Sequence, residues 1–308
     1  MTTYILRRVL WMIPSLLVVF TLTFIVVHAT PGGPWDESEK PLPPAVKANL
    51  DRQYHLDDPL PKQYVDYLAG AVRGDFGPSY RNVERSVSDI VGATLPVSLQ
   101  LGAASMLFAL VVGIPLGVLA AMRQNTWVDF VASLVTVSGI STPPFVRVTL
   151  LIVVFSLALP WLPTGGWEGL GDVRLIIPMV AIGTGPAAIL ARYTRSSLLE
   201  VLPQDFLRTA RAKGLAEQAV VLRHALKNAL IPVVTVAGVT LANVITGAFF
   251  VERIYGVPGI GRQFVDSVSG RDYPLLLGIV LVFALLISVV NLLVDVSYGF
   301  LDPRIRYR

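Results

Sequence analysis

Residues 205–228 read DFLRTARAKGLAEQAVVLRHALKN, five Arg or Lys against two acids, and this charged stretch stands between two long apolar runs. Its surroundings decide the fold. The chain has 308 residues, of which 54% are hydrophobic and only 15% charged, far from the soluble average and toward the membrane class. The apolar residues come in blocks, not as faces. Six blocks reach or approach the roughly 17–25 residues a helix needs to cross a hydrocarbon core. They are 9–35, 90–122, 130–167 with Arg147 inside it, 175–191, 228–251 and 273–294. Barrel strands would show alternating polarity over about ten residues, so continuous apolar runs indicate helices. The expected fold is an all-α membrane protein with six transmembrane helices.

Arg7 and Arg8 precede the first block, which makes a cleaved signal peptide the competing reading. The run exceeds the roughly 7–15 residues of a signal core, and no small-x-small site precedes TPGGPWD, so it is expected to stay as the first span. Orientation follows from Lys and Arg near the span ends. With both termini inside, the inner side holds Arg7, Arg8, Arg123, Arg192, Arg195, Arg208, Arg211, Lys213, Arg223, Lys227, Arg304, Arg306 and Arg308. The short outer loops hold Arg174, Arg253, Arg262 and Arg271. Long segments translocate largely regardless of charge, so 36–89 is set aside. The basic stretch then faces the cytoplasm.

The outer segment 31–94 opens with TPGGPWDESEKPLPPAV, whose prolines forbid an early helix, and then turns semi-apolar around YVDYLAGAVRGDFGPSY. Helical spacing of its aromatics and leucines predicts a small extracytoplasmic subdomain between helices 1 and 2, with a membrane-surface helix as the alternative. No cysteine occurs, so no disulfide staples it and thiol redox chemistry is excluded. The core of the membrane domain is read as 95–298, including a cytoplasmic loop 193–228, with 299–308 as a cytoplasmic tail.

Within that loop Pro203 interrupts the helix leaving the fourth span, Asp205 is placed to cap a new helix, and Gly214 to end it in a left-handed turn. The helix is expected over about 206–213. LAEQAVVLRHALKNALIP then resumes helical periodicity toward the fifth span, whose beginning Pro232 marks. Arg208 and Arg211 share a face, Lys213 carries charge to the tip, and Thr209, Ala210 and Ala212 keep the rest slim. Such donors suit a protein groove lined by carboxylates. A solvated basic loop attracted to anionic lipid is the second reading, and charge alone favours it.

The order of residues says more. YTRSSLLEVLPQDFLRTARAKGLAEQAVVLRHALKNALIPVVT, 193–235, resembles the cytoplasmic signature loop of ABC importer permeases in the dipeptide, oligopeptide and nickel branch. The wider pattern is Glu-Ala-Ala, three residues, Gly; the branch reads Arg-Thr-Ala-Arg-Ala-Lys-Gly, as in 208–214 here. The Glu is absent, and HALKNALIP replaces the wider family's I-x-L-P. YILRRVLWMIPSLLVVF and ATPGGP are similar to the branch's first span, GDFGPSY to its outer loop, YGVPGIGRQFVDSVSGRDYP to the link before its last span, and VNLLVDVSYGFLDPRIRY to its ending. Several motifs in one order make the likeness specific.

The resemblance implies a type I ABC importer permease fold and a subunit forming half of a translocation pathway for peptides. It implies coupling to ATPase subunits through Asp205, Arg208, Thr209, Ala210, Arg211, Ala212, Lys213, Gly214 and Leu215. It further implies a second homologous permease, an extracytoplasmic substrate-binding protein, ATP and Mg held by the partner subunits, and a bacterial or archaeal inner membrane. Nickel or another small solute is an alternative cargo for the same architecture.

Other chemistries find little support. ATP hydrolysis would need Gly-x-x-x-x-Gly-Lys-Ser/Thr, and no Gly-Lys occurs. The histidines are His28, His55 and His224, the first two expected at the outer side and the third inside, so no shared metal site is expected. TVSGISTPPF, with Ser138 and Ser141, is superficially similar to a serine-protease membrane motif, but no histidine is placed to activate either serine. No cofactor or nucleic-acid partner is expected. An ion-coupled secondary carrier is the stronger rival, and Arg147 and Asp295 are its candidate charges. Arg147 departs from the branch, which has an apolar residue there; lining the path and meeting a substrate carboxylate, snorkelling to the outer interface and pairing with the other permease are its open roles. Ser141, Arg147 and Asn243 are the candidate translocation-path residues. Pro143, Pro144, Gly183, Gly185 and Pro186 either loosen the third and fourth spans or pack helices closely.

Overall fold

The computed structural model describes residues 2–35, 43–82, 84–246 and 248–301; the side chains of 2, 3, 242, 243, 245, 246 and 297–301 lie outside that description. Among the described residues an isolated bridge between Pro78 and Ser86 stands in place of any strand, and the rest is helix and loop. Helix α1 is Thr2–Ala29, followed by α2 (Pro44–Gln53), α3 (Leu60–Val72) and α4 (Val87–Met122). Then come α5 (Trp127–Ser141), α6 (Pro144–Leu151) prolonged by a π-helical turn Ile152–Ala158, and α7 (Ile176–Val201). A short α8 (Asp205–Ala212) and one turn α9 (Glu217–Ala219) lead through a π-helical stretch Val220–Ala225 into α10 (Leu226–Thr246). Helices α11 (Phe249–Tyr255), α12 (Ile260–Ser269) and α13 (Tyr273–Leu301) complete the described chain.

Among the described residues five helical stretches are long and apolar enough to cross a membrane, and α5 with α6 and its prolongation, a pair bent by 109°, count as a sixth if the two are taken as one span. The third block is therefore not one straight span. Pro143 lacks the N–H that would continue α5, and a residue before proline is steered out of the helical region, which is where Thr142 sits at ψ 122. Pro144 then occupies the first turn of α6, where a missing N–H costs nothing. Two boundaries differ from expectation. The first span starts at Thr2 and ends at Ala29, and Pro232 lies well inside a helical run that begins at Glu217. A proline inside a spanning helix is tolerated where neighbouring groups satisfy the freed carbonyl.

The chain divides into two compact units, Thr2–Ser98 with Pro258–Val289, and Leu99–Val257 with Val290 onward. In the first, the expected short helices of the 31–94 segment are α2 and α3, and α3 covers Phe20 and Phe24 of α1 with Tyr64, Tyr67 and Leu68. Three motifs far apart in sequence meet there. Asp272, 1% exposed, accepts from the Ser79 hydroxyl and from the backbone N–H of Tyr80 at 3.1 Å. Arg81 donates to Gly270 O and Pro34 O, and Arg271 to Pro31 O. ATPGGP, GDFGPSYR and SGRDYP thus form one interlocked knot, in which Asp272 heads α13. Burial, with the Asp272 carboxylate beside it, pushes the Tyr80 phenol far above the usual tyrosine range and keeps it neutral.

In the second unit α7 is central, packing against α5, α6 and α10. Gly113 and Gly117 of α4 lie so close to Ala187 and Ala191 of α7 that a Cβ on either would strike those carbonyl oxygens. Small residues four apart let the two backbones touch, the usual device for joining helices in lipid. Gly183 serves the same end, its missing Cβ lying 2.6 Å from Ser105 O. Since α7 runs unbroken through Pro186, close packing is the reading that holds for Gly183, and loosening holds for Pro143 and Pro144.

Candidate functional site

Helix α8 is an eight-residue amphipathic element set between two breaks. Helix α7 stops at Val201, two residues before Pro203, and Gln204 takes the extended conformation (ψ 149) that opens α8. Inward, Leu207 is fully buried and Ala210 nearly so, packed with Val118, Leu198, Val201, Val220 and Val221. The far end closes at Gly214, whose φ of +78° is the left-handed conformation that a Cβ disfavours.

Three details correct the sequence reading. The helix is Asp205–Ala212, one residue earlier than expected. Asp205 is its first residue and not its cap; its carboxylate, 94% exposed, makes no capping bond and pairs with Arg208 at 3.3 Å. Ala210 faces the underlying core and is not part of a slim outer surface. Arg211 is committed elsewhere: Nε and Nη2 donate to the two Glu217 oxygens at 3.0 and 2.8 Å, and Nη1 reaches Leu202 O at 3.4 Å. That hydrogen-bonded carboxylate raises the already high pKa of Arg211. Arg211 therefore clips the loop to α9, because Glu217 stands at the start of that turn. The outward surface consists of Phe206, Arg208, Thr209, Ala212, Lys213 and Leu215, all exposed, with Asp205 and Gly214 at its ends.

A second polar locus lies at the α5–α6 break. Ser141 ends α5 and is exposed; Arg147, one turn into α6, is half-buried and donates from Nη1 to Gly139 O at 2.7 Å. Its Nε is enclosed without an acceptor, and no carboxylate among the described residues pairs with it. Position 243 lies on α10, and the Asn243 side chain falls outside the described residues. The structure thus brings Ser141 and Arg147 to one bend and leaves Asn243 unassigned. Asp295 sits on α13, part-buried.

One ion pair escaped the sequence reading. Arg195, counted only toward orientation, forms a two-pronged pair with Asp129, Nε to Oδ1 at 2.7 Å and Nη2 to Oδ2 at 2.8 Å. Asp129 is 6% exposed and also accepts from Asn125 N at 3.0 Å, so the pair ties the start of α5 to α7. Their separation of 66 residues leaves no local signal; only an acid directly before an apolar block hinted at it. No group of three or more His, Cys, Asp or Glu able to hold a metal occurs among the described residues.

Known proteins resemble this chain from end to end. The dipeptide transport system permease protein DppB of Bacillus subtilis is 42% identical over 306 residues, 99% of this chain and 98% of that protein. The oligopeptide transport system permease protein OppB of Salmonella typhimurium is 44% identical over 307 residues and all of both chains. Among solved structures, the MetNI methionine ABC transporter in inward-facing conformations superposes with a TM-score of 0.60 at 19% identity, over 69% of this chain and 96% of that one, a likeness of fold. The family model for the binding-protein-dependent transport system inner membrane component matches residues 113–307, and its N-terminal companion residues 1–102. This multi-pass membrane chain therefore belongs to the family of binding-protein-dependent transport system inner membrane components.

Proposed function

We propose that the chain is one of two homologous permease subunits of an ATP-driven peptide importer, coupled through α8 to ATPase subunits that bind ATP and Mg. An extracytoplasmic binding protein delivers cargo to the side carrying residues 31–94, and both termini and the 193–228 loop lie in the cytoplasm. Peptide as cargo rests on the full-length likeness to permeases named for dipeptides and oligopeptides. The observation that carries the coupling role is the form of α8: an exposed helix with its inner face fixed by Leu207 and both ends fixed by breaks. A helix held this way transmits a push to α7 and α10, whereas a solvated loop would absorb it. Positive charge with exposed apolar Phe206 and Leu215 suits a partly apolar, acid-bearing groove.

Replacing Gly214 or reversing charge at Arg208 should abolish uptake while leaving membrane insertion intact. Peptide uptake that persists when the ATPase subunit no longer binds would end this reading and favour an ion-coupled carrier.

A further inference from the structure

Arg147 is a cation in the interior of a spanning segment without an acid to answer it. Such a side chain at a helix centre costs roughly 2.5–3.5 kcal/mol on insertion scales, so it persists only where protein, water or cargo solvates it. A guanidinium has five N–H donors in a planar fork. Here one goes from Nη1 to Gly139 O, Nε is enclosed without an acceptor, and Nη2 makes no hydrogen bond among the described residues.

The space around the group is built for it. Gly139 on α5 and Gly185 on α7 flank the guanidinium, and a Cβ on Gly185 would lie 3.3 Å from Nη2. A guanidinium with an unengaged Nη2, held between Gly139 and Gly185 at a 109° bend, is a polar receptor and not a packing element.

We propose that Arg147 is a carboxylate-binding site on the translocation path, taking the free C-terminal carboxylate of a peptide as it passes the α5–α6 bend. The inference rests on the peptide-importer reading. A carboxylate takes charge-assisted N–H bonds from an arginine, and Nη2, which is unengaged and not enclosed as Nε is, supplies the donor that cargo reaches. A carboxylate from the second permease would satisfy the same atoms, and the test separates the two sources.

The complete transporter, reconstituted in vesicles, is given binding protein loaded to equal extent with one peptide in two forms, free acid and C-terminal amide. Wild type is expected to move the acid on the order of tenfold faster, the range of a charge-assisted hydrogen bond. Arg147→Met should bring the acid down to the amide's rate and leave the amide unchanged, which also shows that the variant is folded. Arg147→Lys, which keeps charge but not the fork, should retain part of the preference and decides the matter if Arg147→Met does not assemble. A preference unchanged in these variants, or absent in wild type, overturns the proposal. Equal loss for both forms with loss of permease co-purification assigns the fork to the partner subunit and also overturns it. Wild-type vesicles that import neither form contradict the peptide reading itself.

Discussion

Leu207→Ala isolates what holds α8 in place. Leu207 is fully buried, and with Ala210 it makes up the whole inward face of an eight-residue helix. The change removes three carbons. At about 0.8 kcal/mol per buried CH2 that is about 2.4 kcal/mol, before any cavity cost. A helix this short has no independent stability, so the loss falls on its docking equilibrium and not on the membrane helices beneath. A factor of ten per 1.4 kcal/mol makes undocked α8 roughly 50-fold more populated. Hydrogen exchange on the detergent-purified protein should show the amides of 205–214 exchanging roughly 50-fold faster, with α7 and α10 unchanged. Uptake and transport-coupled ATP hydrolysis should fall with insertion at wild-type levels. Unchanged protection of 205–214, or faster exchange with full uptake, would refute a rigidly presented α8 as the coupling element.

Three further outcomes follow from the contacts. Arg211→Glu and Glu217→Arg should each cut uptake several-fold by placing like charges together, and the double exchange should restore most of it; a failure to restore would mean Arg211 acts on another partner. Asp129→Asn leaves Arg195 without its acid, and since Arg195 keeps 30% of its side-chain exposure the loss should sit near the low end of the roughly 3–5 kcal/mol for breaking a buried pair, read as a lower thermal-unfolding midpoint in detergent. Gly117→Ala should cost about 1–3 kcal/mol by forcing α4 off Ala191 and Thr194, read in the same assay; an unshifted midpoint would mean the helices do not pack as closely as described.

What could be read in the sequence had local causes. Spans announce themselves because lipid demands about twenty apolar residues in a row, and α8 was bounded by Pro203 and Gly214, whose effects are confined to one turn. Boundaries set by neighbours were missed: Asp205 reads as a cap, but the backbone turns one residue earlier at Gln204. Pro232 reads as a helix start, but α10 already begins at Leu226 and runs on through it. Side-chain partnerships were invisible for the same reason. Arg211 with Glu217, Asp129 with Arg195, and Asp272 with Ser79 are set by how elements meet, and no periodicity records them. The resemblance named the α5–α6 region as a departure at Arg147, yet only the bend showed why an arginine fits there, since Gly139 and Gly185 come from different helices.

The central claim is that α8 docks on an ATPase subunit through its outward face. The chain has no cysteine, so single cysteines can be introduced without background. With a bifunctional crosslinker in the assembled transporter, cysteine at Phe206, Thr209 or Lys213 should join the chain to the ATPase subunit, with yields that change on ATP binding. Cysteine at Leu222, 59% exposed but beyond α8, should not. Crosslinks absent from all three outward positions, or equally strong from Leu222, would contradict the account.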